Sequence, residues 1–234
     1  MADPMRPTEE GPRGGAIARS PLGAESTEPR SVPALSVAAL SAVAIRERPF
    51  VAQVDVRGLP TEGSLAAIER AVGVRPSASA NRATGAVSGL RVLWLGPDEW
   101  LVVDPNRDPG DLESLVAAAV APFGGSAVDL SAHRTILEVD GPATRDLLAS
   151  ACSIDLHPRA FGPGSCAQTT LARVDVVLDC LASDLVRILI RSSFAPYLVT
   201  WLRDALVEIE ADADTPSVAP ASDSPGSDLA GFSR

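Results

Sequence analysis

The spacing of apolar residues along the chain predicts strands and helices in turn. In residues 50–57 apolar side chains occupy every second position, at Phe50, Ala52, Val54 and Val56, which is typical of a strand with one buried face. A Gly-Leu-Pro turn follows that strand. The next apolar residues recur at helical spacing, so a helix is predicted to begin after a threonine that can cap it.

A hairpin and a second helix are predicted next. Residues 90–95 and 99–103 are short apolar runs on either side of a Gly-Pro-Asp sequence that favours a turn. The polar stretch 75–89 before them is predicted to be a loop. Asp108, followed by a proline, is placed at the start of a helix whose apolar residues share one stripe.

The central stretch, residues 129–152, has the most consistent local pattern. A strand is predicted over 127–130 and another over 135–139, where the side chains favour an extended backbone. An Asp-Gly-Pro turn ends the second strand and places Pro142 at the first helical position. Leucine and alanine then recur at helical spacing, so a helix is predicted to pack back on the strand.

Three strands and a long helix are predicted in the C-terminal third. The strand-like runs are 166–171, 174–181 and 185–191, and Ser192 or Ser193 can cap the helix that follows. Each large apolar side chain contributes roughly 1.5–3 kcal/mol when buried, so the apolar stripe of this helix must dock on another layer. The stripe consists of Phe194, Tyr197, Leu198, Trp201, Leu202, Ala205, Leu206 and Ile209.

This order of elements predicts an α+β fold, with a largely antiparallel sheet and helices packed on one side of it. A parallel doubly wound sheet would alternate strands and helices more regularly. The folded part is expected to span residues 34–210, as one domain or as two small lobes that divide near residue 125. Residues 1–33 and 211–234 contain few large apolar side chains and are expected to be disordered tails.

Charge and composition exclude several classes of protein. The formal net charge is −10, and an acidic surface repels the phosphates of nucleic acids. No apolar run reaches the roughly 18 residues needed to span a membrane. Acidic residues interrupt the N-terminal stretch that would have to form a signal peptide. We therefore expect a cytoplasmic protein without a nucleic-acid or membrane partner.

Few residues are of a type that supplies chemistry. The 20 basic residues are all arginine, so Schiff-base chemistry on lysine and a lysine-bearing phosphate loop are excluded. Cys152, Cys166 and Cys180 are an odd number without a Cys-x-x-Cys pair. They are interpreted as buried thiols, not as a disulfide framework or a zinc site. The two histidines lack a carboxylate cluster beside them, so no metal site is predicted.

Two sets of residues were candidates for a nucleophile with its base. Asp129, Ser131 and His133 alternate, but side chains two residues apart on a strand lie about 6–7 Å from each other and diverge. A polar corner is the preferred interpretation of this set. Cys166 could pair with His133 or His157, although nothing in the spacing indicates it. A small thiol or serine hydrolase is therefore kept as an alternative.

The glycines of GPGSCA at 162–167 superficially match a dinucleotide-binding loop. Such a loop needs a strand before it and a helix after it, whereas here a Pro-rich loop precedes and an extended segment follows. The match is rejected. No catalytic, cofactor-binding or metal-binding residue is predicted.

Four aromatic residues are candidates for a partner interface, where aromatic anchors are enriched. They are Trp94, Trp100, Tyr197 and Trp201. The competing interpretation of the tryptophans is that they are core residues.

Four stretches together resemble the gamma subunit family of heterotetrameric sarcosine oxidase. The likeness runs over residues 34–210 and rests on the order and spacing of the pieces. It implies the fold of a degenerate relative of the folate-binding aminomethyltransferases, in agreement with the α+β prediction. The stretches are LGPDEWL at 95–101, HRTILEVDGPATRDLLASACSIDL at 133–156, FGPGSCAQTTLARVDVVL at 161–178 and RSSFAPYLVTWLRDAL at 191–206.

The resemblance implies a subunit without catalytic residues in an oxidoreductase that acts on the CH–NH group of sarcosine, with oxygen as acceptor. Such complexes convert sarcosine to glycine and hydrogen peroxide and transfer the one-carbon unit to tetrahydrofolate. The implied partners are larger alpha and beta subunits and a small delta subunit. Those other subunits, and not this chain, are expected to carry FAD, FMN, NAD and tetrahydrofolate.

A stand-alone folate-binding relative that supports iron–sulfur maturation is the other family-based alternative. Those proteins carry Lys-Gly-Cys-Tyr-x-Gly-Gln in roughly the place of residues 164–168. Only Cys166 and Gln168 match here, since the lysine, the tyrosine and the second glycine are missing. This difference counts against folate chemistry in the chain.

Overall fold

The computed structural model describes residues 18–23, 25–26, 35–39 and 43–213. The helices are α1 (Glu62–Val72), α2 (Pro109–Val120), α3 (Thr144–Ala149) and α4 (Ala195–Ala213), with 3₁₀ turns at Ala121–Phe123 and Ser192–Phe194. The strands are β1 (Ala18–Arg19), β2 (Glu25–Ser26), β3 (Leu35–Ala39), β4 (Ala44–Arg48), β5 (Ala52–Arg57), β6 (Ala83–Gly85), β7 (Arg91–Gly96), β8 (Glu99–Asp104), β9 (Ser126–Asp129), β10 (Arg134–Asp140), β11 (Cys166–Leu171), β12 (Val174–Cys180) and β13 (Leu185–Arg191).

Two antiparallel sheets lie face to face. The six-stranded sheet has the order β11-β12-β13-β10-β4-β3 and the five-stranded sheet the order β6-β7-β8-β5-β9. Helices α3 and α4 pack on the outer face of the six-stranded sheet, and α1 and α2 on that of the five-stranded sheet. A third apolar cluster fills the space between the sheets. The predicted α+β fold is confirmed, with two sheets in place of one.

The alternation of side chains along each strand produces these layers. In β8, Trp100 and Val102 belong to the cluster beneath α1 and α2, whereas Leu101 and Val103 belong to the cluster between the sheets. The prediction of one buried face for residues 50–57 is corrected by Gln53, which is buried on the inner face and donates through Nε2 to the Arg134 carbonyl at 3.3 Å. In the sequence, a polar residue that is buried with a hydrogen-bond partner cannot be distinguished from a polar residue that is exposed.

Two predicted helix starts and the hairpin are confirmed. The other two starts are wrong, because α3 begins at Thr144 and not at Pro142, and α4 begins at Ala195 after a 3₁₀ turn that contains Ser192 and Ser193. The Thr61 hydroxyl accepts a hydrogen bond from the Ser64 N–H at 3.2 Å, and the Asp108 carboxylate accepts one from the Gly110 N–H at 3.0 Å, as helix caps do. Strands β7 and β8 pair directly across the Gly-Pro-Asp turn. These local signals need no tertiary information, which is why the sequence reveals them.

The structure contains elements beyond those predicted, including strands β3 and β4. Strand β6 lies within the predicted loop 75–89, where it pairs with β7. Strands β1 and β2 pair within the predicted tail 1–33, and Ser20 between them is buried and donates to Glu47 Oε2 at 2.9 Å. Helix α4 continues to Ala213. The remaining residues of both predicted tails lie outside the part of the chain that the structure describes.

The predicted apolar stripe of the last helix is partly wrong. Leu198, Leu202 and Leu206 are buried against the six-stranded sheet as expected. Phe194 and Tyr197, however, are 44% and 46% exposed. The helix begins only at Ala195, so Phe194 lies in a preceding 3₁₀ turn whose different twist directs it off the stripe.

Candidate subunit-interaction surface

A buried ion pair joins the two sheets. Arg91 on β7 donates two hydrogen bonds of 2.6 Å, from Nε and Nη2, to the carboxylate of Asp179 on β12. Their side chains are only 4% and 2% exposed. Burial raises the pKa of Asp179, and the hydrogen bonds and charge of Arg91 oppose that rise. Both groups are engaged with each other, so the pair holds the sheets in register and does not form a reactive centre.

Cys166 is packed as a structural thiol. Its side chain is fully buried, and Sγ donates to the Trp94 carbonyl at 3.4 Å. Burial raises the pKa of Cys166 to about 12, so the thiolate needed for nucleophilic attack does not form near neutral pH. A cavity of about 290 Å³ adjoins the thiol, and neither His133 nor His157 lines it. The thiol–imidazole pair of the hydrolase hypothesis is not assembled.

Gln168 has a similar structural role to Cys166. Its Nε2 donates to the Leu95 carbonyl at 2.9 Å. Strand β7 has an irregular register between Trp94 and Gly96, where a bulge interrupts the ladder. Cys166 and Gln168 thus hydrogen-bond two consecutive carbonyls at this bulge. The two residues that match the folate-binding signature are accounted for by the contact between the sheets.

Asp129, Ser131 and His133 form a turn, in agreement with the polar corner predicted for them. The Ser131 hydroxyl donates to Asp129 Oδ1 at 2.5 Å and accepts from the Gln53 N–H at 2.8 Å. Within the described residues the His133 ring makes no hydrogen bond to Ser131. The corner therefore anchors β5 and β9 to β10 without a serine–histidine pair.

The glycine loop before β11 forms a turn at the end of the connection from α3. The Ser165 N–H donates to the Gly162 carbonyl at 3.0 Å, and the Gly164 N–H donates to the Cys180 carbonyl at 2.9 Å. Strand β11 follows the loop, as predicted for this extended segment, whereas a dinucleotide-binding loop leads into a helix. Across residues 18–23, 25–26, 35–39 and 43–213 there is no group of three His, Cys, Asp or Glu side chains placed to hold a metal ion.

The four aromatic candidates lie in different environments. Trp100 is 1% exposed, and its Nε1 donates to the Ser77 carbonyl at 2.8 Å, so it is a core residue and its assignment to a partner interface is wrong. Trp94 and Trp201 are half-buried at the edges of the apolar clusters. Tyr197 is largely exposed. Residue type alone cannot separate these cases, because a tryptophan in the core and one at an interface look the same in the sequence.

Tyr197 is held in place by the turn that joins β11 to β12. Its hydroxyl donates to the Ala172 carbonyl at 2.8 Å. Ala172 and Arg173 form this two-residue turn, both with positive φ (48° and 71°), a conformation that glycine or asparagine adopts more readily. A fixed, exposed tyrosine loses little side-chain entropy on binding, and Phe194, three residues earlier in the sequence, is exposed as well. This end of the six-stranded sheet is therefore suited to contact another protein.

An arginine-lined cavity lies at the same end of the sheet, on its inner face. It measures about 370 Å³ and its lining includes Arg134, Arg191, Gln168, Thr170 and Asp175. Burial lowers the pKa of Arg134, and the positive charge of Arg191 lowers it further. The negative charges of Asp55 and Glu99 oppose this shift. The sequence does not predict this cavity, because the cavity depends on the register of four strands. The only signal in the sequence is the position of two arginines at the ends of predicted strands.

The sequence is similar to that of a known protein family. The model of the family described as "Sarcosine oxidase, gamma subunit family" matches residues 58–208. The sarcosine oxidase subunit gamma of Corynebacterium sp. (strain P-1) is 40% identical over 195 residues, which cover 80% of this chain and 95% of that protein.

Solved structures agree with the sequence comparison. A chain of the heterotetrameric sarcosine oxidase from Corynebacterium sp. U-96, in complex with pyrrole 2-carboxylate, has 39% identity and a TM-score of 0.67 over 74% of this chain and 88% of that one. The glycine cleavage system aminomethyltransferase T from Bartonella henselae has 13% identity and a TM-score of 0.51 over 69% of this chain and 45% of that one. The second likeness confirms the predicted resemblance to the aminomethyltransferase fold and shows the fold alone.

In the part of the chain that the structure describes, none of the helices has the length and apolar character of a membrane span.

Proposed function

Because the chain belongs to the sarcosine oxidase gamma subunit family, we propose that it is the non-catalytic gamma subunit of a heterotetrameric sarcosine oxidase. The match over nearly the whole length of a curated gamma subunit is the observation that carries this proposal. The side chains with potential chemistry support it, since Cys166 and the Arg91–Asp179 pair are committed to structural contacts.

The complex would oxidise sarcosine to glycine, with oxygen as acceptor and hydrogen peroxide as product, and would transfer the one-carbon unit to tetrahydrofolate. In this proposal the alpha, beta and delta subunits are the partners and they carry FAD, FMN, NAD and tetrahydrofolate. The complex would work in the cytoplasm as part of sarcosine catabolism. This chain would contribute surface and stability to the assembly.

We further propose that Tyr197, Trp201 and Trp94 lie at or near contacts with other subunits. Tyr197 is the best supported of the three, because it is exposed and fixed by its hydrogen bond to the Ala172 carbonyl. Aromatic side chains with few rotatable bonds are common anchors of such contacts. Trp201 on α4 and Trp94 on β7 are half-buried and would present ring edges only.

Co-purification tests the proposal. The tagged chain is expressed alone and together with the larger subunits of the same organism's sarcosine oxidase, and the absorption spectrum of each preparation is recorded. We expect the chain alone to be colourless and prone to aggregate, and the co-expressed chain to elute with the flavin absorption of a larger complex. A chain that stays monomeric in the presence of the larger subunits contradicts the proposal.

A further inference from the structure

Two arginines face each other at the open end of the six-stranded sheet. Arg134 on β10 and Arg191 on β13 are directly opposite each other in the antiparallel register, so their side chains project from the same face. Like charges in opposite positions on neighbouring strands destabilise a sheet. The arrangement therefore has a cost that an anion between the two guanidinium groups would remove.

The described part of the chain does not provide that anion. Neither guanidinium makes a hydrogen bond or an ion pair with any described residue, and Arg134 Nη1 is a buried nitrogen without a hydrogen-bond partner. A buried donor without a partner is uncommon in a folded protein and is costly. The site is thus incomplete among the residues that the structure describes.

The neighbouring carboxylates are engaged elsewhere. Glu99 accepts a 2.9 Å ion-pair contact from Arg57, which also lies 3.5 Å from Asp55. Asp175 lines the cavity, and its Oδ1 accepts a hydrogen bond of 3.5 Å from the Thr170 hydroxyl. Asp55 and Glu99 favour the charged form of Arg134 at longer range, but none of the three forms an ion pair with either cavity arginine within the described residues.

The shape of the cavity favours a protein partner over a small molecule. Sites for small molecules enclose most of their ligand, whereas Gln168, Thr170, Asp175 and Arg191 are all exposed. Phe194, which is 44% exposed, follows Arg191 by three residues. Exposed arginine beside exposed aromatic residues is the composition of energetically important positions at protein interfaces. In a chain with a net charge of −10, a local pair of positive charges would also fix the orientation of an acidic partner.

We propose that Arg134 and Arg191 bind the carboxylate of an Asp or Glu side chain on a partner subunit, in the cavity that Thr170 and Gln168 also line. The proposal rests on the proposed function, because it takes the partner to be another subunit of the oxidase. The incoming carboxylate would accept hydrogen bonds from both guanidinium groups, including the Nη1 of Arg134 that is now unpartnered.

The lack of lysine in this chain allows a selective test. An Arg191→Lys variant carries a single side-chain amine, placed in the cavity. In the purified complex a zero-length carbodiimide joins an amine to a carboxylate only when the two are in contact. We expect a cross-linked product of this chain and a larger subunit, with mass spectrometry locating the linkage at position 191 and at an Asp or Glu of the partner.

Arg159→Lys is the matched control, since Arg159 is exposed and lies outside the cavity. It gains the same amine and retains the same N-terminal amine, and we expect no product at position 159. Arg191→Glu should weaken binding to the larger subunits by about 10-fold or more at low salt, whereas Arg159→Glu should not. Equal cross-linking at both positions, or unchanged affinity of Arg191→Glu, overturns the inference.

Two outcomes separate the inference from its premise. If the unmodified chain does not bind the larger subunits at all, the proposed function fails. If it binds them but Arg191→Lys gives no cross-link, only the inference fails.

Binding of a free anion is tested by thermal unfolding in inorganic phosphate and in chloride at equal ionic strength. Stabilisation by phosphate that Arg191→Gln abolishes would assign the cavity to a small anion and overturn the partner carboxylate.

Discussion

Arg91 and Asp179 form a bidentate ion pair across the space between the two sheets, with two N–H···O distances of 2.6 Å. Each comes from a different sheet, and Arg187 on β13 lies directly opposite Asp179 in the strand register. A buried pair of this kind contributes little net stability compared with apolar side chains of similar size, but the loss of one partner leaves a buried charge. Its main effect is to specify how the sheets align.

The ion pair predicts that replacing one partner destabilises the fold more than replacing both. Arg91→Leu should lower the free energy of unfolding by about 3–5 kcal/mol, because Asp179 stays buried without its partner. Arg91→Leu with Asp179→Leu should recover most of that loss. Chemical denaturation of the four proteins measures the effect. If the double variant is as unstable as the sum of the single variants, the two residues do not act as a pair.

Cys166 should be inert in the folded chain. Because burial raises its pKa to about 12 and shields the sulfur from reagents, alkylation by iodoacetamide at pH 8 should be much slower at Cys166 than at an accessible thiol. The half-buried Cys152 serves as the internal comparison. Cys166→Ala should leave the sarcosine oxidase activity of the assembled complex within about 2-fold of wild type. Rapid labelling of Cys166, or loss of activity in a folded variant, would contradict its structural role.

Glu99 predicts a dependence of stability on pH. Burial raises its pKa, as does the nearby Asp55, while Arg57 opposes the rise. A carboxyl group whose pKa is higher in the folded state stabilises the fold at pH values below its unfolded pKa, and this contribution is lost as the pH rises through the folded pKa. Glu99→Gln should therefore gain in melting temperature relative to wild type between about pH 4 and pH 7.

The exposed Glu208 on α4 provides the control for that experiment. Glu208→Gln should run parallel to wild type over the same pH range. The ion pair of Glu99 with Arg57 is largely exposed on the arginine side, so its loss in Glu99→Gln should matter little. A Glu99→Gln curve that falls further below wild type as the pH rises would show that the ion pair dominates.

A substitution in the turn between β11 and β12 should stabilise the fold. Arg173 has φ of 71°, and glycine at this position of a two-residue hairpin turn avoids the contact between Cβ and the backbone. Arg173→Gly should raise the free energy of unfolding by about 1 kcal/mol.

Tyr197→Phe removes the hydrogen bond to the Ala172 carbonyl and should lower the free energy of unfolding by about 1 kcal/mol. Thermal denaturation distinguishes the two directions, and a destabilised Arg173→Gly would mean that the arginine side chain stabilises the turn.

Local signals were sufficient to predict most elements. The caps at Thr61 and Asp108 and the β7–β8 hairpin each depend on neighbouring residues only. Pairing between distant segments was not predictable. Strand β6 is short and has no large apolar side chain, and it forms because β7 offers hydrogen-bond partners to Ala83–Gly85. The second sheet likewise follows from strand register, which no local pattern contains.

The candidate surface was predictable only in part. Tyr197 was found from its residue type, but the same reasoning selected the buried Trp100. The difference depends on which layer covers each ring. The Arg134–Arg191 cavity depends on the register of β10 with β13, so two arginines far apart in the sequence become neighbours only in the folded chain.

Sarcosine-dependent formation of hydrogen peroxide should be measured for this chain alone, for the larger subunits alone and for the reconstituted complex. The chain is proposed to do no chemistry of its own and to act only as part of an assembly. We predict no turnover by the purified chain at any concentration and full turnover by the complex that contains it. Peroxide formation by the isolated chain would contradict this account.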